Sequence, residues 1–203
     1  ATSLLIGIPI GLSIMFGIPP FISRIVTSKK MNQNSIANVN RITTALLLAA
    51  GTGSRLLPLT KEVPKCLTLV NEISILERLV DNLQLQDFKK LVVVTGHLSS
   101  IIEDFLGEVY NGMDIEYIHS PLYETTNNIY SLWVAREKVT EPFMLIESDL
   151  VFHTSLLDEM VYPDRIAVAS IDKWMNGTTV LIDETKRVLE FNKDVSPIVY
   201  QTK

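Results

Sequence analysis

Residues 47–67 read LLAAGTGSRLLPLTKEVPKCL and say more about this chain than any other segment. An uncharged apolar run, 45–50, leads directly into Gly51 and Gly53, which predicts a buried strand followed by a tight turn. Glycines in such a turn let main-chain amides approach an anionic ligand closely. Arg55 and Lys65 then add two cations. The segment therefore predicts a binding site for a triphosphate.

The spacing of this segment differs from that of two commoner phosphate-binding loops. A Walker loop carries Lys-Ser/Thr directly after its second glycine, where this chain has Ser54-Arg55, and a dinucleotide-binding loop needs a third glycine where Leu56 stands. The segment instead resembles the nucleotidyltransferase signature, G-x-G-[ST]-R-[LM]-x-P-[LM]-T followed by P-K-x-L. The match extends over residues 51–60 and 64–67.

Composition limits the class of protein. A chain of 203 residues is expected to hold one domain, with room for an appendage. A net charge of -5 argues against nucleic acid as a partner, because a nucleic-acid-binding domain presents a basic face. Cys66 is the single cysteine, so the sequence excludes a disulfide framework and indicates a reducing, cytoplasmic location.

Residues 1–30 form a hydrophobic segment that differs from the rest of the chain. Positions 4–22 hold no charged side chain and are long enough to cross a bilayer, and Arg24, Lys29 and Lys30 follow as a cytoplasmic flank would. Three interpretations stay open: a non-native extension with a natural start at Met31, a membrane anchor on the cytoplasmic side, or a packed extension of the fold. Residues 31–41 read as a polar linker, and 42–203 as the domain.

From residue 42 onward, strand-like and helix-like segments alternate, which predicts a mostly parallel α/β sheet with helices on both faces. The predicted strands are 45–50, 91–95, 115–119, 143–146 and 166–170, the predicted helices are 75–85, 99–106, 129–138 and 156–160, and 178–191 reads as a hairpin. The resemblance implies the Rossmann-like fold of nucleotide-diphospho-sugar transferases.

Three polar segments fall where predicted parallel strands end: the Gly51 loop, Gly96-His97 and the turn at Asp149. Ligands of open α/β sheets gather at these carboxyl ends. Asp149 ends an apolar strand, where a carboxylate is costly unless it is paired or binds a cation. Mg²⁺ held by Asp149 and by phosphate oxygens satisfies that requirement. Glu147 is expected to point to the opposite face and receives no role.

The resemblance implies roles for individual residues. Arg55 and the amides of the glycine loop hold the β- and γ-phosphates, Lys65 stabilises the α-phosphorus, and Asp149 binds Mg²⁺. These three side chains are the predicted catalytic residues. The predicted nucleotide-binding residues are Leu48, Ala49, Ala50, Gly51, Thr52, Gly53, Ser54, Arg55, Lys65, Gly96 and Asn128.

The acceptor side resembles a narrower group. Residues 127–132 and 172–179 are similar to phosphocholine and 2-aminoethylphosphonate cytidylyltransferases, which implies that Asn128 and Ser131 lie near the nucleotide or the acceptor. The resemblance also implies that Lys193 binds the acceptor phosphate. A quaternary ammonium would favour aromatic faces, and a primary amine would favour a carboxylate such as Asp172. The aromatic candidates are Tyr123, Tyr130, Trp133 and, as the best single choice, Trp174.

The predicted function is a Mg²⁺-dependent nucleotidyltransferase that couples an NTP, with CTP expected, to a phosphorylated or phosphonylated small molecule. Alternatives are a sugar-1-phosphate nucleotidyltransferase, an inactive nucleotide-binding regulatory domain and a membrane-anchored scaffold. The second metal-binding aspartate that the resemblance implies has no counterpart before Lys203, so we expect either that the domain is truncated at its C-terminus or that another group fills this role. The sequence gives no indication of the oligomeric state.

Overall fold

The computed structural model describes residues 4–6, 24–27, 41–168 and 179–192. Within these ranges the helices are α1 (Ile75–Leu85), α2 (Ser99–Leu106), α3 (Asn128–Ala135) and α4 (Leu157–Met160). The strands are β1 (Leu4–Ile6), β2 (Arg24–Thr27), β3 (Thr44–Ala49), β4 (Leu69–Val70), β5 (Ile73–Ser74), β6 (Lys90–Thr95), β7 (Val109–Tyr110), β8 (Met113–His119), β9 (Phe143–Glu147), β10 (Arg165–Val168), β11 (Thr179–Ile182) and β12 (Val188–Asn192).

A six-stranded sheet forms the centre of the molecule, in the order β1-β9-β3-β6-β8-β7. The pairings β1 with β9, β9 with β3, β3 with β6 and β6 with β8 are all parallel, and only the edge pair β7 with β8 is antiparallel. Following the chain from β3, the strands β6 and β8 are added on one side of β3, and β9 is then added on its other side. This reversal places the topological switch point of the sheet between β3 and β9.

Helices cover both faces of the sheet, which confirms the predicted fold class. One face packs against α1, α2 and α4, and the other packs against α3. Because both faces are covered, the central strands are apolar on both sides instead of alternating, and β3 is buried along its whole length. Large fully buried side chains of the core include Leu46, Leu47, Leu76, Leu79, Leu83, Leu91, Met144 and Leu145.

Two helices have the bounds that the sequence predicts, α1 and α2. In α1 the buried residues recur at helical spacing, and the Ser74 hydroxyl accepts a hydrogen bond from the Glu77 amide at 3.1 Å, which caps the helix. The prediction for α3 was too long: the helix ends at Ala135, where Arg136 closes the last turn through a 3.2 Å bond from its amide to the Trp133 carbonyl.

Short elements escaped the sequence prediction. The antiparallel pair β4–β5 and the edge strand β7 have two residues per strand, too few for an alternating pattern to be recognised. The predicted hairpin is present as β11 and β12, which pair antiparallel.

Two strands come from the first thirty residues. β1 joins the edge of the central sheet beside β9, and β2 pairs antiparallel with β10. Among the described residues, no helix has the length and apolar character needed to cross a membrane. The three interpretations of residues 1–30 and the proposed division at residues 30 and 41 stay predictions.

Candidate active site

The candidate site lies at the carboxyl ends of β3 and β9, on either side of the switch point. The glycine loop follows β3 directly, and Asp149 follows β9 by two residues. The two strands are hydrogen-bonded neighbours, with Leu48 opposite Glu147. The loop and the acidic turn are therefore brought together by the sheet itself.

The glycine loop has one constrained and one open position. Gly53 adopts a positive φ of 65°, and a Cβ atom built there would lie 2.9 Å from Thr60 Cγ2. The fully buried Thr60 holds the loop from inside, since its hydroxyl donates to the Gly53 carbonyl at 2.8 Å. A Cβ atom at Gly51 would meet nothing within 4 Å. Gly53 is therefore required by the fold, whereas Gly51 leaves space open to solvent.

Lys65 and Asp149 form an ion pair across the site. Lys65 lies in a short 3-10 turn whose next residue, Cys66, is buried in the core. The two charged side chains are only 23% and 16% exposed, so water screens their attraction much less than at an open surface. Burial raises the pKa of the Cys66 thiol to about 12, which makes it a packing residue.

Glu147 lies in the same site, contrary to our expectation. Its carboxylate accepts a 2.7 Å hydrogen bond from the Asn128 side chain at the start of α3. Burial, and then the negative charge of Asp149, raise the pKa of Glu147 to about 7, while Asn128 and the charge of Lys65 act in the opposite direction. Since both Asp149 and Lys65 act on Glu147, the four side chains form one electrostatic unit.

The remaining predicted residues lie in different surroundings. The side chains of Leu48, Ala49 and Ala50 are buried, which leaves main-chain atoms for any ligand. Gly96 packs so tightly that a Cβ atom would lie 2.7 Å from both the Ala50 carbonyl oxygen and the Tyr123 side chain.

Polar and charged predicted residues also differ in their exposure. Thr52 is half-buried, and Ser54 and Arg55 are exposed. Ser131 is buried on the inner side of α3. Trp174, Lys193 and Asp172 lie outside the described residues.

The aromatic residues of α3 pack on one another. The Tyr130 and Trp133 rings stack with centroids 5.8 Å apart, and the Arg136 guanidinium lies 3.6 Å from the centre of the Trp133 ring. These residues follow one another at a spacing of three along the helix, so Trp133 lies between its two neighbours. An open groove of about 460 Å³ runs beside them, lined by Thr125, Thr126, Asn127, Ile129, Tyr130 and Trp133.

The donor atoms fit a metal ion that is bound together with a nucleotide. In the part of the chain that the structure describes, no three His, Cys, Asp or Glu side chains gather as a metal site. Asp149 and Glu147 offer carboxylate oxygens, the donors that Mg²⁺ prefers, and Mg²⁺ commonly takes its other ligands from phosphates and water.

Glu147 and Thr60 were assigned no role in the site from the sequence alone. Residues i and i+2 of a strand share a face, so an acidic residue two positions before Asp149 was a usable signal for Glu147. For Thr60 the signal was weaker, because its bond to Gly53 depends on the path of the intervening loop.

Known proteins resemble this chain in sequence. The family model described as nucleotidyl transferase matches residues 44–186. A CMP-5'-(3-aminopropyl)phosphonate synthase of Streptomyces rubellomurinus is 37% identical over 62% of this chain and 20% of its own length. A choline-phosphate cytidylyltransferase of Streptococcus pneumoniae is 27% identical over 57% of this chain and 49% of its own length. The chain thus matches half or less of these two relatives.

A solved structure shares the fold. The inositol-1-phosphate CTP transferase from T. maritima superposes with a TM-score of 0.61 at 20% identity, covering 77% of this chain and 66% of that one.

The same substitution is expected to affect the free energy of unfolding differently at the two glycines of the loop. Gly53→Ala should lower the free energy of unfolding by about 1–3 kcal/mol, because the new side chain is strained at positive φ and meets Thr60. Gly51→Ala, the matched control, should change it by less than about 0.5 kcal/mol. Urea unfolding of both variants measures the difference, and equal stabilities would contradict the geometry of the loop.

Glu147 predicts a pH dependence of stability in the absence of divalent cations. Its folded pKa of about 7 lies above the ordinary value of 4.5, so between these values the unfolded chain has lost the proton and the folded protein keeps it. Raising the pH through this window should therefore lower the unfolding free energy of the wild type relative to Glu147→Gln. Urea unfolding at a series of pH values tests this, and parallel profiles would refute it.

Proposed function

The chain belongs to the nucleotidyl transferase family, and from this premise we propose that it is a cytidylyltransferase. The proposed reaction joins CTP to a small molecule that carries a phosphate or phosphonate group and releases pyrophosphate. The contact of Lys65 with Asp149 beside the open glycine loop carries the proposal, because it assembles groups suited to a polyphosphate at one edge of the sheet. The two relatives that act on aminopropylphosphonate and choline phosphate, by their names, support the acceptor class.

In the proposed complex, the triphosphate lies over the glycine loop. The space at Gly51 admits phosphate oxygens close to the main chain. Arg55 is exposed, so its side chain can turn toward the β- and γ-phosphates. Main-chain groups near Ala50 and Gly96 are left to contact the base, since the side chains there are buried or absent.

The acceptor's phosphate oxygen attacks the α-phosphorus in line with the departing pyrophosphate. An oxygen–phosphorus bond forms, and the bond to the bridging oxygen of the β-phosphate breaks. The attacking oxygen is already an anion, so positioning and charge stabilisation account for most of the catalysis. Lys65 has three donors, and it can keep its bond to Asp149 while donating to an α-phosphate oxygen.

Mg²⁺ is the cation that we propose for the site. Asp149, and Glu147 beside it, would hold it together with the phosphates, and its chemistry is to neutralise negative charge on the nucleotide.

For the acceptor's organic group we propose a primary amine, because the aminopropylphosphonate relative is 37% identical to this chain and the choline-phosphate relative 27%. Trp174 and Lys193, the other acceptor-binding candidates, stay predictions because they lie outside the described residues.

A panel of substrates tests the proposed function. The purified chain is incubated with Mg²⁺, one of CTP, UTP, ATP or dTTP, and one of 2-aminoethylphosphonate, phosphocholine or glucose-1-phosphate, while pyrophosphate release is followed. We expect CTP with 2-aminoethylphosphonate to react fastest and phosphocholine to follow. A preference for glucose-1-phosphate would contradict the acceptor class. Nucleotide binding without pyrophosphate release would indicate an inactive nucleotide-binding domain.

Lys65→Ala should lower turnover at least about a hundredfold, since the group that stabilises charge on the α-phosphorus is lost. The fold should survive, because the neighbouring Cys66 and not Lys65 anchors this turn in the core. Lys61→Ala, in the same loop and exposed, is the matched control and should retain normal turnover. Circular dichroism verifies folding, and near-normal turnover of Lys65→Ala would rule out this role.

A further inference from the structure

Glu147 connects β9 to the start of α3 through a single side-chain contact. Its Oε2 accepts from Asn128 Nδ2 at 2.7 Å, and the two residues are 19 positions apart in the chain. Asn127, the residue before, caps the helix by accepting a 3.1 Å bond from the Ile129 amide. The two asparagines thus use their side chains differently, one toward its own helix and one toward the sheet.

The contact with Glu147 fixes which end of the Asn128 amide is free. The NH₂ end of the amide donates to the carboxyl oxygen of Glu147, which accepts. The carbonyl oxygen, Oδ1, is therefore the end left for a ligand. Asn128 is exposed, and it bonds to Glu147 at the carboxyl end of β9, so a ligand at this edge of the sheet can reach it.

We propose that Glu147 is a positioning residue that orients Asn128 so that its Oδ1 accepts a hydrogen bond from the bound nucleotide. This inference rests on the proposed function and adds a determinant of nucleotide specificity to it. The group recognised is a hydrogen-bond donor, and in CTP the candidates are the exocyclic amino group of the base and the ribose hydroxyls.

An exchange of the two side chains tests the proposal. Asn128→Asp keeps an acceptor but sets two carboxylates against each other, so the affinity for CTP with Mg²⁺ should fall about tenfold or more. Adding Glu147→Gln supplies an amide that donates to Asp at position 128, so the double variant should bind within about threefold of Glu147→Gln alone. Glu147→Gln is the reference for this comparison, because it removes the same carboxylate from beside Asp149 and keeps an acceptor for Asn128.

Isothermal titration with Mg²⁺ present measures these affinities. Asp158→Asn is the matched control, because Asp158 accepts a 2.7 Å bond from the Gln86 amide at a position away from the site. Its affinity for CTP should equal that of the wild type. Loss of binding in Asn128→Asp without recovery in the double variant would overturn the proposal, as would normal binding by Asn128→Ala.

Other nucleotides distinguish the two donors. If Oδ1 contacts the amino group of the base, Asn128→Ala should weaken CTP binding and leave UTP binding unchanged. If it contacts the ribose 2'-hydroxyl, Asn128→Ala should weaken CTP and UTP equally and leave dCTP unchanged. Equal losses for CTP, UTP and dCTP would instead indicate the 3'-hydroxyl, which all three nucleotides carry. A wild-type chain that binds none of the nucleotides would refute the proposed function, and this inference with it.

Discussion

The ion pair between Lys65 and Asp149 determines how the candidate site is put together. Lys65 lies 14 residues beyond Gly51 along the chain, yet both belong to the segment that leaves β3 and returns to the sheet. Three interactions hold that segment in place. The Thr60 hydroxyl donates to the Gly53 carbonyl, and the Cys66 side chain is buried in the core. Lys65 forms the ion pair with Asp149 after the end of the neighbouring strand. A largely buried ion pair is weak evidence for stability, because desolvation offsets much of the attraction. Its effect is to fix the position of the loop.

The sheet makes this arrangement possible, and much of the sheet could be predicted from the sequence. Apolar runs without alternation predicted β3, β6 and β9 as buried parallel strands, and helical spacing predicted α1 and α2 with their observed bounds. Prediction failed where elements are short or where tertiary contacts end them. The pair β4–β5 and strand β7 have no room for a pattern, and α3 stops at Ala135, before its predicted end at Lys138.

The candidate site was predictable where its residues follow one another in the chain. The glycine loop and Lys65 were found in this way, and Asp149 was found because a carboxylate at the end of an apolar strand needs a partner. The sequence does not show that Lys65 is that partner, because the two residues are 84 positions apart. The same limit applies to Glu147 and Asn128, and to the different roles of Gly51 and Gly53, which depend on the position of Thr60.

The charges of the site explain why a cation is expected to accompany the nucleotide. Asp149 and Glu147 place two carboxyl groups beside one ammonium, and burial, followed by the negative charge of Asp149, raises the pKa of Glu147. A triphosphate would add further negative charge to the same place. A divalent cation held by Asp149 together with the phosphates would offset this repulsion. The ligand-free electrostatics therefore favour a nucleotide that arrives as its metal complex over a bare triphosphate.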